Sequence, residues 1–232
     1  MSSNTIPADQ GALVARQAER WNDPQTQERA QQRVALAAQR ARANEPRMRE
    51  HLKQLEKAPK IQHRIFWLRQ IAATFADAVG PHAACTSGCD ACCRQPVALT
   101  LEEAQVIARE TGAPLQQPAT WSHEGQDQYV AQPCSFLEAH RCTIYEHRPM
   151  ACRLMFSMDA DALLCERVPG ALSRMPYADY SQYKELYIRS HLGKVKTQAE
   201  FTQALDQLRL ADVREFFPNG LRGTPPPAAG HG

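Results

Sequence analysis

The chain has no run of 18 apolar residues, which excludes a single transmembrane helix. Its beginning has no apolar h-region and instead carries Asp9, Glu19, Asp23 and Glu28. A secretory signal peptide is therefore not expected, and the cytoplasm is the expected compartment. Strong net charge is also absent: the formal balance is +2. No polyelectrolyte partner is implied overall. Residues 1–60 hold 11 basic against 7 acidic side chains, whereas residues 81–167 hold 6 against 11. The central part is thus ill suited to nucleic acid, because phosphate contacts need positive charge. There is no internal repeat, and strand signals are scarce. Mean hydropathy is −0.51 with 43% hydrophobic residues, as expected for a soluble fold.

Cysteine is missing from the first 84 and the last 67 residues. All eight lie between: Cys85, Cys89, Cys92, Cys93, Cys134, Cys142, Cys152 and Cys165. In a secreted chain an even count suggests disulfides. In the reducing compartment expected here it reads as metal binding or redox chemistry.

Around this window the chain reads as helical. Residues 11–58 are rich in Ala, Arg, Gln and Glu, with thin apolar content (Leu13, Val14, Trp21, Val34, Leu36) and breaks at Pro24 and Pro46. Ile61, Ile65, Leu68, Ala72, Phe75 and Val79 recur at steps of four and three, which predicts one apolar helical stripe over residues 60–79. Gly80-Pro81 ends it. Thr100-Leu-Glu-Glu103 is a capping box opening a helix to Glu110, stopped by Gly112 and Pro114. Residues 113–133 read as a surface loop. Residues 177–192 predict a helix with a tyrosine stripe (Tyr180, Tyr183, Tyr187) suited to core packing. Thr197-Gln-Ala-Glu200 predicts another, reaching Leu210. The resulting expectation is a mostly α fold. It has a small irregular cysteine-rich metal-binding core, flanking helices and an N-terminal helical arm. The expected divisions are an arm at 1–59, partly disordered, a cysteine-cluster domain at 60–217 and a disordered tail at 218–232.

The spacing decides what the thiols can hold. Cys85-x3-Cys89-x2-Cys92-Cys93 puts four sulfurs in nine residues, with Gly88 available for a turn. The second group is Cys134-x7-Cys142-x9-Cys152-x12-Cys165. Zinc takes four tetrahedral thiolates from separate segments, and iron–sulfur clusters take the same ligands. Adjacent Cys92 and Cys93 fit poorly on one ion because neighbouring side chains diverge. One of them serves a second centre or is not a ligand. Arg94, Arg141, Arg148 and Arg153 lie close to cysteines in sequence and can favour thiolate. Arg148 and Arg153 could instead pair with Glu146 or Asp159. His140 and His147 could replace a cysteine, although a surface role suits them better. One or two of the eight cysteines are expected to be non-ligands, Cys165 first among them.

Cys85-x3-Cys89-x2-Cys92 also has the spacing of the radical S-adenosylmethionine cluster loop. The alternating strands and helices of that barrel are missing, only 140 residues follow Cys92, and Ala91 stands where an aromatic is usual.

The cluster Cys85…Cys89…Cys92-Cys93 is followed by Pro133-Cys134-Ser135-Phe136-Leu137 and by Cys142-Thr-Ile144-Tyr145-Glu-His-Arg148-Pro149-Met-Ala-Cys152-Arg153. Together these pieces resemble the YkgJ-type cysteine-cluster family, described as a zinc- or iron-chelating domain and known from bacterial-type proteins. The resemblance covers about residues 85–155. It implies that the matching cysteines chelate the metal and that Phe136, Leu137, Ile144 and Tyr145 form a small apolar core beside it. Such a core is too small to fold alone, so metal binding should add to its stability. A related branch includes flagellin lysine methylases, but this chain has no glycine-rich loop for a methyl donor.

The leading expectation is a metal-binding protein holding an iron–sulfur cluster or iron, otherwise zinc, with all eight cysteines as candidate ligands and no catalytic residue. Its role would be structural, sensing or interaction, with an unknown protein partner docking on residues 1–59. A cluster-dependent enzyme such as a lysine N-methylase, and a metal carrier or store, are the rivals.

Overall fold

A computed structural model of the chain describes residues 8–119, 121, 127–172, 174–192, 197–206 and 208–222. The expected disorder at the two ends therefore falls largely on residues 1–7 and 223–232, outside the described residues. The fold is mostly α, as the helical periodicities lead one to expect.

Three helices begin the chain: α1 (Ala8–Asn22), α2 (Pro24–Ala43) and α3 (Glu45–Lys57). Both prolines sit in first helical turns, where a missing N–H costs nothing. Asp23 caps α2 by accepting from the Gln25 N–H at 3.0 Å. Helices α2 and α3 lie on α4 (Ile61–Val79), whose predicted stripe is buried from Ile65 to Val79, while α1 packs on α2 and on the turn at Leu163–Cys165. The arm contributes its small residues to this contact. Ala30 and Ala37 are buried, while Val34 and Leu36 face solvent. Alanine lets two helices approach closely, so α2 meets α4 without large side chains.

A first core gathers Ala30, Ala37, Leu55 and the α4 stripe with Met150 and Leu154 of α6 (Met150–Leu154). Helix α7 (Ser181–Leu192) starts four residues later than its predicted span and packs its tyrosines on this core. The Tyr183 ring is 4.9 Å from Phe75.

Helix α5 (Leu101–Thr111) begins at the predicted cap and ends at Gly112, whose φ of +72° glycine adopts without strain. Only half of the expected capping box forms. Thr100 Oγ1 accepts from the Glu103 N–H at 3.2 Å, but the Glu103 side chain turns inward. The second box is complete: Glu200 N–H donates to Thr197 Oγ1 at 3.1 Å and Thr197 N–H to Glu200 Oε2 at 3.3 Å. It opens α8 (Gln198–Asp206), which stops short of Leu210. Residues beyond it leave the helix because β4 (Leu210–Asp212) pairs antiparallel with β1 (Ala98–Thr100), Leu99 opposite Ala211. A short α9 (Val213–Phe216) follows.

The second core joins Val97, Leu99, Ala104 and Ile107 to Phe136, Ile144, Val213, Phe216 and Phe217. The small apolar core expected beside the metal is thus completed by the C-terminal segment. Tyr145, expected within it, is 55% exposed and lies under the Arg148 guanidinium at 4.1 Å. The remaining strands, β2 (Leu137–Glu138) and β3 (Arg141–Cys142), form a hairpin. Its two loop residues, Ala139 and His140, have φ of +44° and +61°. Two-residue hairpins need positive φ in the loop to match strand twist.

Candidate metal centre

The structure brings each of the eight cysteines, drawn from an 81-residue span, within electrostatic reach of at least one other, three of them against the second core. None is in a disulfide. Cys134, Cys142 and Cys152 pack against the second core, Cys165 is buried, and Cys85 is open at the surface. Cys85 lies within electrostatic reach of Cys92 and Cys89, and Cys165 within reach of Cys85, Cys89 and Cys92. Cys93 is near Cys152 and Cys134, and Cys152 near Cys134, Cys92 and Cys142.

Each sulfur is positioned by identifiable bonds. Cys134 N–H donates to the Cys93 carbonyl at 2.7 Å, which ties the two halves of the motif together. Backbone N–H groups two residues ahead point at two sulfurs, Phe136 at Cys134 and Ile144 at Cys142. N–H donors of this kind stabilise thiolate and orient metal ligands. Ser157, buried at 2% exposure, serves two more. Its N–H points at Cys85 Sγ and its hydroxyl at Cys165 Sγ, and its carbonyl accepts from Ala84 N–H at 2.9 Å. Cys165 Sγ also lies 3.2 Å from Met175 Sδ.

Burial dominates the acidity of most of these thiols. It pushes Cys85, Cys134 and Cys142 up, despite the nearby N–H groups. Cys152 rises well above its ordinary value, and Cys165 is pushed up to about 12. Cys92 is the exception. The Cys93 thiol donates to it and draws it down to about 7, while Cys93 is correspondingly raised. Arg148 is the cation that reaches Cys85, Cys92, Cys142 and Cys152, and it favours thiolate at all four. Its Nε is buried with no hydrogen-bond partner among the described residues.

Neither Arg148 nor Arg153 pairs with Asp159. Arg153 donates to the carbonyls of Arg148, at 3.0 Å, and Glu146, bracing the turn before Cys152. Asp159 is taken by the arm, with Arg20 at 3.2 Å and Arg29 at 3.7 Å. The histidines face carboxylates: His140 lies 3.1 Å from Asp90 and His147 lies 3.0 Å from Glu110.

Three supports were invisible in the motif. Arg214, on α9 and 8% exposed, makes five side-chain hydrogen bonds. It donates to Asp212 Oδ1 at 2.8 Å and to the carbonyls of Gln132 at 2.7 Å, Pro133 at 3.1 Å, Gln95 at 3.3 Å and Cys93 at 3.4 Å. Asp212 Oδ2 accepts from Val97 N–H at 2.7 Å. One buried ion pair therefore locks the backbone on both sides of the Cys93–Cys134 contact. Glu103, 2% exposed, accepts from Met150 N–H and from Tyr187 OH, both at 2.8 Å. It fixes the start of the turn that carries Cys152. Gln17 of α1 donates to the carbonyls of Leu163 at 2.8 Å and Glu166 at 2.7 Å, which frames Cys165. Apart from Arg214 and Asp212, two residues apart, no local signal marks these partners, since each other bond spans 47 residues or more along the chain.

The donor set suits a thiophilic ion: clustered thiols, N–H groups aimed at sulfur, and a nearby guanidinium. As the side chains are placed, no three Cys, His, Asp or Glu residues among the described ones stand close enough to hold an ion. The chemistry fits a metal, and binding would require the thiols to turn toward one another.

These features define a class, a mostly helical protein built around a thiol-rich centre. Residues 84–169 match the family model described as "Putative zinc- or iron-chelating domain" (CxxCxxCC). The matched segment spans the whole set from Cys85 to Cys165 and agrees with the cysteine-cluster family that the motif resembles. No curated protein and no solved structure matches the chain. Among the described residues, no helix is long and apolar enough to cross a membrane.

Proposed function

We propose that the protein binds a thiophilic metal through its clustered cysteines, as an iron–sulfur cluster or iron, otherwise zinc, in a structural, sensing or interaction role. The observation that carries this reading is the set of eight unbridged cysteines, each within electrostatic reach of another and four of them within reach of Arg148. Cys85, Cys89, Cys92, Cys93, Cys134, Cys142, Cys152 and Cys165 would hold the group. Bound there, it would cross-link segments that local structure does not join, and an iron centre would add redox sensitivity. The chain's own part is to supply thiolates, aim N–H groups at them and limit water through Phe136 and Ile144.

The test is metal and acid-labile sulfide per chain in protein purified without oxygen. Iron with matching sulfide identifies a cluster, and zinc without sulfide identifies a thiolate zinc site. Cys89→Ser combined with Cys142→Ser should lose metal and melt at lower temperature. Unchanged metal content and melting in that variant would remove the reading.

A further inference from the structure

We propose that the cysteines serve two separate metal centres divided between Cys92 and Cys93: an outer one from Cys85, Cys89, Cys92 and Cys165, and an inner one from Cys93, Cys134, Cys142 and Cys152. The inference rests on the thiolate reading above and assigns its ligands.

Different anchors hold the two sets. Ser157 serves both Cys85 and Cys165 with its own N–H and hydroxyl, which puts these distant cysteines around one residue. Gln95 Nε2 donates to the Cys165 carbonyl at 3.2 Å and ties the same turn to the first motif. The inner set is held differently. The Cys93 carbonyl accepts from Cys134 N–H, Arg214 grips the flanking carbonyls, and Cys134, Cys142 and Cys152 all pack on the second core. Cys92 lies between the sets. It is within reach of Cys142 and Cys152 as well as Cys85 and Cys165, and the Cys93 thiol, which donates to it, also lies near Cys152 and Cys134. Four thiolates in each set satisfy one tetrahedral ion or one cubane.

The surroundings give the centres different characters. The inner one backs onto Phe136 and Ile144, at 1% and 3% exposure. The outer one borders, through Cys89, a cleft of about 530 Å³ lined by Thr86–Ala91, Arg94, Glu166, Arg167 and Leu13 of α1. Gly88, at φ +87°, gives the Cys85–Cys89 loop its left-handed turn. The outer metal is therefore open to exchange, and the inner one is part of the fold.

The test uses the full chain, reduced and stripped of metal, titrated with Co²⁺ under anaerobic conditions while thiolate-to-cobalt absorbance is followed. Two equivalents are expected. Cys89→Ser with Cys165→Ser should keep one equivalent, held at least tenfold more tightly against a chelator than the more weakly held wild-type equivalent. Cys134→Ser with Cys142→Ser should also keep one, the readily removed equivalent. A single wild-type equivalent that both double variants abolish would mean one shared centre and overturn the division while leaving the thiolate reading intact. Absence of cobalt–thiolate absorbance would remove both. Should circular dichroism find the inner variant unfolded, the outer variant decides alone: one equivalent retained supports two centres, and none retained refutes them.

Discussion

Replacing Arg214 with Met tests whether the C-terminal segment, outside residues 84–169, holds the cysteine domain together. The substitution keeps an unbranched stem and removes the guanidinium. Asp212, 0% exposed, then loses its charge partner, although the N–H groups of Val97 and Arg214 remain on its carboxylate. The part-buried carbonyls of Cys93, Gln95, Gln132 and Pro133 lose a donor as well. Breaking a buried pair from one side costs about 3–5 kcal/mol. In a chain of this length that lowers Tm by on the order of 10 °C. Arg214→Lys retains the charge but not the planar fork, so its loss should be smaller, about 1–3 kcal/mol. The assay is urea unfolding of the reduced, metal-free chain followed by circular dichroism, which isolates the clamp from the metal. A loss below about 1 kcal/mol for Arg214→Met, or equal losses for Met and Lys, would refute the reasoning.

Three further outcomes are expected. A Cβ at Gly220 would clash with the Ser135 carbonyl oxygen, at a φ of +60°, so Gly220→Ala should cost more than the roughly 1–2 kcal/mol of the left-handed backbone alone; an unchanged urea midpoint would count against this close approach beside Cys134. Ala139→Gly relieves a positive φ of +44° in the hairpin loop and should raise stability by about 0.5–1 kcal/mol in the same assay, where destabilisation would contradict the loop geometry. Burial opposes ionisation of Glu110, but hydrogen bonds from His147 and Arg69 outweigh it and hold the carboxyl below its ordinary 4.5. That contribution is complete above the ordinary value and is lost as pH falls through the lower folded one. Glu110→Gln should therefore be less stable than wild type at neutral pH and flatten the stability profile below pH 4.5; parallel profiles for the two proteins would argue against it.

Much of the helical framework was legible because helix signals are local. The α4 stripe, the Pro24 and Pro46 starts, the Thr100 and Thr197 caps and the Gly112 stop all depend on residues within a few positions of one another. The cysteine motif was legible for a related reason: its spacing and its absence of cysteine elsewhere need no partner to be recognised. The errors arise where a distant element competes. Glu103 has the sequence of a capping-box residue, yet the buried Met150 N–H and Tyr187 OH offer it better partners than the exposed end of its own helix. Helix α8 was extended too far because pairing with β1 claims residues 210–212. The family resemblance implies an inward Tyr145, but its ring lies under Arg148 at the surface.

The sequence by itself determined that this is a mostly helical chain with all eight cysteines in one 81-residue window, since composition and short-range periodicity suffice for both. Tertiary structure alone decided how those cysteines are held. Ser157 joins Cys85 to Cys165, Arg214 locks Cys93 beside Cys134, and Gln17 of the arm braces the Cys165 turn. A buried polar group must find a partner wherever the folded chain supplies one, and that supply depends on which distant segments the cores bring together.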